Sequence, residues 1–152
     1  MMHVRSLATL GVALALAGTA ACTDNSGPNG TVTGGLYALT SVNGTAMPYS
    51  FVDQNSGGTT TLQSDVYTIN GNGTYSEVIN ESVSSGYGAS PTTDNESGTW
   101  AQSGNTVTFQ PTYSSFSGTL TPYSATIGTS GAFGGNVLVF TSSLGQLVYQ
   151  HE

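Results

Sequence analysis

From Gly35 onward, apolar and polar residues alternate with a period of two, in short runs separated by Gly, Asn and Ser. That period belongs to half-buried β-strands. No apolar stripe recurs every 3.6 residues for long enough to predict a helix. "GLYALTSVNG" reads as a first strand ending in a turn at Asn43-Gly44, and "MPYSFVDQ" as a short second strand. "TTLQSDVYTI" and "TYSEVINESV" flank "NGNG", a strong hairpin signal because Asn and Gly accept positive φ. "ESGTWAQ" and "NTVTFQP" flank Ser103-Gly104, a second tight hairpin. "FSGTLTP", "YSATIGT", "NVLVFTS" and "QLVYQH" complete the strands. Units of this kind, spaced about 8–12 residues apart, predict an antiparallel sandwich or barrel.

The same alternation selects an inner face. Tyr67 and Ile69 share one side of their strand, as do Val107 and Phe109, Ala125 and Ile127, and Leu147 and Tyr149; Trp100 aligns with Gly98. Buried aromatics mostly pack, so these residues are first of all a core. The strand "TYSEVINESV" has two possible phases. If Tyr75 and Ile79 point inward, Glu77 and Glu81 follow, whereas Val78 argues for the opposite face. Asp94 and Glu96 likewise share a face. Paired carboxylates can serve glycosidase acid–base chemistry. Because charged side chains are rarely buried, all four are expected to be solvated or at a rim. The segment Ser84 to Asn95, "SSGYGASPTTDN", is expected as a long loop over the barrel mouth or a flexible excursion.

The N-terminus follows a different pattern. Met1 to Arg5 is short and basic, Leu7 to Gly18 is apolar apart from Thr9, and Thr19, Ala20 and Ala21 are small. This is the layout of a secretory signal peptide, with an apolar stretch too short to span a bilayer. Ala20-Ala21-Cys22 resembles the lipobox of bacterial lipoproteins, with Thr19 where that family prefers Leu. The resemblance implies cleavage before Cys22 and acylation of its thiol and new amino group. Ordinary secretion, with cleavage after Ala15-Leu16-Ala17 or Ala17-Gly18-Thr19, is the alternative. Cys22 is the only cysteine, so it cannot close an intramolecular disulfide. Residues 1–21 are therefore expected as a signal peptide, 22–34 as a lipidated tether and 35–152 as the folded domain. The twelve residues from Thr23 to Gly34 reach roughly 20 Å as a coil. Thr23, following the cysteine, leans toward an outer membrane where the cell has one. Two or three acyl chains anchor stably where one is marginal.

Charge narrows the function classes. Arg5 is the only Arg or Lys, and all eight acids lie downstream of it. A domain with no strong base cannot neutralise phosphates, which excludes nucleic-acid binding and phosphate gripping. His151 is the only histidine after the N-terminal segment, and no Gly-x-Ser-x-Gly is present. The chain thus lacks the residues for a nucleophilic triad, and no enzymatic activity is expected. Zinc lacks a His/Cys set. "TTDNESG", Thr92 to Gly98, crowds oxygen ligands but lacks EF-hand spacing. No cofactor or metal is expected. The Gly-rich "GTSGAFGGN" lacks a phosphate-loop lysine, and the Asn-x-Ser/Thr triplets are compositional.

"GLYALTSVNGTAMPY", "YTINGNGTYSEVI", "ESGTWAQSGNTVTF" and a final "LVYQH", in that order, resemble small bacterial lipocalin-like lipoproteins. The resemblance covers most of Gly35 to His151. It implies an all-β, antiparallel up-and-down barrel of about eight strands, whose interior is filled by side chains or holds one small ligand. It supplies no catalytic residues. On this basis the interior is expected to present Tyr67, Ile69, Tyr75, Trp100, Val107, Phe109 and Tyr149 to a small, partly apolar ligand. The alternative is an envelope lipoprotein with a filled barrel that engages a protein or glycan. The expected partner is the membrane, through Cys22, and the expected state a monomer.

Overall fold

A computed structural model of the chain describes residues 31–52, 57–85, 88–116, 119–129 and 136–152. The expected signal peptide, Cys22 and most of the tether lie outside the described residues. Ten strands follow in chain order: β1 (Gly35–Val42), β2 (Thr45–Ala46), β3 (Tyr49–Val52), β4 (Thr59–Ile69), β5 (Thr74–Ser85), β6 (Gly88–Ser103), β7 (Thr106–Ser114), β8 (Tyr123–Thr129), β9 (Asn136–Ser142) and β10 (Gly145–His151). All pairings are antiparallel, and consecutive strands are neighbours from β4 to β10. β10 pairs with β1, and β1 pairs with β4 through Gly35–Ala38 against Val66–Ile69. That contact closes the sheet into an eight-strand barrel of β1 and β4 to β10.

The seam is closed over only part of its length. Beyond Ala38, β1 turns to the two-residue β2, through Ser41 and Val42, while the first half of β4 pairs with β3. β2 and β3 therefore fill the gap where β1 and β4 diverge. The barrel has two distinct ends. One carries the entering segment 31–34, the 70–73 and 104–105 turns and the C-terminus; the other carries the 43–44 and 143–144 turns, the Ser85–Gly88 end of the β5–β6 pair and the end of β7. We refer to them as the tether end and the distal end.

The turns form where positive φ is available. Asn43 (φ 50°) and Gly44 (φ 81°) make the two-residue turn between β1 and β2. Both residues are left-handed, the geometry that matches strand twist. Asn72 caps the β4–β5 turn by accepting from the Thr74 amide at 3.1 Å, with Gly73 at φ 82°.

Two expectations are corrected. "FSGTLTP" is not a strand in its described part: residues 119–122 connect β7 to β8 without pairing, and Phe116 turns to pack against the core. The ring closes without it, because β7 pairs directly with β8 through Thr106–Phe109 against Tyr123–Thr126. Ser84 to Asn95 is not a loop over the mouth. It continues β5 and β6 as a long hairpin, with Ser84 opposite Ala89 and Ser82 opposite Pro91. β7 ends at Ser114, opposite Glu96, and Asn95 still bonds to Ser115, but among the described residues the Gly88–Asp94 stretch has no ladder partner on its other side. On such an edge a proline such as Pro91 is tolerated because no donor is required of it.

Candidate functional site

The interior is built from the inward residues of the barrel strands. The tether half is apolar: Tyr37, Tyr67, Ile69, Tyr75, Val107, Phe109, Leu138 and Tyr149 are fully buried, and Val32 of the entering segment closes the end beneath them. Rings from different walls meet in the middle. Tyr67 of β4 lies 5.3 Å from Phe109 of β7, 5.4 Å from Phe140 of β9 and 5.2 Å from Tyr149 of β10, centroid to centroid. Phe109 also meets Tyr75 at 5.0 Å and Tyr123 at 5.3 Å. Edge-on and stacked pairs at these separations add about 0.5–1.5 kcal/mol each beyond burial. They fill the cross-section at that level.

Of the residues expected to face a ligand, Tyr67, Ile69, Tyr75, Val107, Phe109 and Tyr149 are together in this interior. Trp100 is only partly buried; its Nε1 donates to Asn70 O at 3.0 Å, beside the β4–β5 turn at the tether end. Tyr37, Tyr123 and Phe140 belong to the same cluster and were not anticipated there. Their signal was present, since Tyr123 has the parity of Ala125 and Ile127.

The other half of one wall is acidic. Asp65 of β4, Glu77 and Glu81 of β5, and Asp94 and Glu96 of β6 all point inward and are buried. This overturns the expectation of solvated or rim carboxylates. Strand parity is the reason: Tyr75 and Ile79 bury their apolar area, and Glu77 and Glu81 lie on the same side. Val78, which favoured the opposite phase, faces out and is 38% exposed. The register brings the acids close. Glu77 stands opposite Glu96 on one side and Tyr67 on the other, and Ile79 stands between Asp65 and Asp94.

Tyrosine hydroxyls meet these acids, Tyr75 from within the wall and Tyr123 and Tyr149 from β8 and β10. Tyr75 donates to Glu96 Oε1 at 2.8 Å, and Tyr123 donates to the same oxygen at 2.5 Å. The Tyr67 and Tyr123 hydroxyls are 3.1 Å apart, and Tyr149 donates to Asp65 Oδ2 at 2.7 Å. Ser115 donates to Asp94 Oδ1 at 3.0 Å. Burial pushes the Tyr75 phenol well above its ordinary value; the neighbouring Glu96 and Glu77 raise it further, while the bond with Tyr123 opposes the shift. The distal rim is covered by partly buried apolar side chains, among them Met47, Tyr49, Phe116 and Leu144.

The arrangement provides acceptors and phenol donors, with apolar rings adjoining them. Among the described residues no three His, Cys, Asp or Glu side chains are grouped to hold a metal ion. Within Thr92–Gly98, Asp94 and Glu96 face in while Asn95 faces out, so its oxygens do not converge on one point. Neither a scan against protein-family models nor a search of the curated proteins returns a match.

Proposed function

We propose that this protein is a lipid-anchored, extracytoplasmic binding protein without catalytic activity. Its barrel would take a small, partly apolar molecule that carries a positive charge. The observation that carries this reading is the composition of the interior: five inward carboxyls on three adjacent strands, beside a wall of rings, in a domain with no Lys or Arg. Burying carboxyls lowers stability, and a barrel serving only as a scaffold would be better filled by apolar side chains. An apolar lining with a few convergent polar groups is the usual composition of a small-molecule site. A cation above aromatic faces gains from both kinds of wall. Entry would be at the distal end, where partly buried apolar side chains form the rim, because Val32 closes the tether end.

Native mass spectrometry of gently purified full-length protein, followed by titration with a medium-chain alkylamine, tests the reading. The alcohol and carboxylic acid of equal chain length are the comparators. The expected result is binding of the amine at least about tenfold tighter than the alcohol, a difference of 1.4 kcal/mol, and no binding of the acid. Equal binding of all three would remove the charge from the proposal. No binding and no co-purified molecule would overturn ligand binding altogether.

The ring network favours a second reading, a filled barrel that engages an envelope partner through its surface. A specific partner lost on shortening the β5–β6 hairpin, with no ligand detected, would favour that reading.

A further inference from the structure

We infer that the outer face of the β5–β6 pair is a docking strip for an extended, uncharged oligosaccharide. The strip lies on the side of the wall away from the acids, so the inference stands apart from what the interior takes.

The distribution of charge points to such a partner. β4 to β7 carry five charged residues, Asp65, Glu77, Glu81, Asp94 and Glu96, and all five face in and are buried. The outer face of these four adjacent strands therefore has no charge, where a solvated surface ordinarily carries charge at about 25–35% of its positions. Such a face offers a partner hydrogen bonds and small apolar contacts.

Both are present, in alternation along the strands. Val78 stands between Val66 of β4 and Asn95 of β6, and is 38% exposed. One step further, Ser64, Asn80 and Thr93 form a polar rung across β4, β5 and β6. Asn80 Nδ2 donates to Ser64 Oγ at 2.9 Å, and Thr93 Oγ1 donates to Asn80 Oδ1 at 2.9 Å. These bonds hold the side chains in place before a partner arrives, which lowers the ordering cost of binding. Beyond the rung Pro91 is exposed, opposite Ser82. In the other direction Ser97 stands opposite Tyr113 of β7, whose side chain is 56% exposed. A pyranose ring has the same alternation, with hydroxyls around its edge and C–H groups on its faces.

Shape selects an extended chain. A barrel wall curves around its circumference and runs straighter along its strands. Thr74 to Ser84 of β5 spans about 34 Å at about 3.4 Å per residue. Other occupants are disfavoured. The domain has no Lys or Arg to hold a phosphate backbone or an anionic headgroup. A second copy would need more apolar area than Val78 and Tyr113 expose.

Isothermal titration of the full-length chain with cellohexaose and chitohexaose, both neutral, tests the inference, with hexagalacturonate as the anionic comparator. At least one neutral hexamer is expected to bind with Kd below about 1 mM. Its affinity should be the same at low and high salt, because no charge takes part. Hexagalacturonate should bind at least about tenfold more weakly, since the acidic domain repels it. Val78→Asp and Tyr113→Ala, both outward and expected to keep the wild-type circular dichroism, should each weaken the neutral hexamer by at least about tenfold. No binding of either neutral hexamer at about 10 mM would overturn the inference. Binding that neither variant changes would place the sugar elsewhere and overturn it too. A dimer in sedimentation that Val78→Asp dissociates would assign the strip to a second copy, with the same consequence.

Discussion

At the scale of single residues, the interior depends on exact neighbours. Tyr75 is buried and its phenol is held neutral, so its folded value lies above the ordinary 10.0. A raised value means that the associated stability is complete below about pH 10 and is lost as pH rises further, by about 1.4 kcal/mol per pH unit for this one group. Alkaline unfolding followed by circular dichroism should show that decline, and Tyr75→Phe should reduce its slope by about one proton. Gly98 is constrained by space: a Cβ there would lie 2.1 Å from Gln110 O and 2.9 Å from Pro111 Cα, beside the bulge between Ser97 and Gly98. Gly98→Ala should cost about 3 kcal/mol in urea denaturation, because backbone must move to admit the methyl. The pairing of Tyr67 with Ile69, or of Val107 with Phe109, was legible from parity alone. The burial of Glu77 was not, since general charge statistics argue against it and only its link to Tyr75 and Ile79 argues for it.

At the scale of elements, turn chemistry was the most legible feature. Asn43-Gly44 and "NGNG" both lie at hairpins, because left-handed backbone restricts the residues that fit. The β5–β6 hairpin was harder to read. Its tip carries Gly, Ser and Pro, a loop-like composition, yet the strands continue in unbroken register from Val78 opposite Asn95 to Ser85 opposite Gly88. "FSGTLTP" erred in the other direction: its alternation is strand-like, but β7 and β8 pair directly and its described part takes no place in the ladder. The partly sealed seam makes a further prediction. Val66 pairs with Ala38 on β1 and Val78 on β5, and Val66→Pro would break the β1–β4 ladder that closes the barrel. Hydrogen exchange should then rise across β1 and the end of β4, while the β6–β7 amides keep their protection. A uniform rise would instead mean that the barrel unfolds as one unit.

At the scale of the whole molecule, the barrel and the N-terminal segment make separate contributions. Among the described residues no helix is long and apolar enough to cross a membrane. On the reading proposed above, membrane attachment is through Cys22. Cys22→Ser should shift the protein from the membrane to the soluble fraction while leaving its circular dichroism unchanged. Unchanged fractionation with membranes would refute the anchor. The entering segment docks at the tether end, where Val32 N donates to Gln102 Oε1 at 3.0 Å and Asn136 Nδ2 donates to Thr31 O at 2.6 Å. An anchor on this segment would place the acidic half of the barrel away from the bilayer.

The sequence by itself determined the all-β class, most strand positions, the main turns and a domain without a strong base. These are local properties, set by a period of two, by the φ that each turn residue accepts, and by which residue types are present. Tertiary structure decided the rest: the β1–β4 closure, the continuation of β5 and β6 beyond β7, and the inward turn of five carboxyls. Alternation leaves every strand two faces, and the choice between them depends on the apolar area that partner strands distant in sequence can cover. For β5 the area of Tyr75 and Ile79 outweighed the exposure of Val78, and Glu77 and Glu81 were carried inside with them.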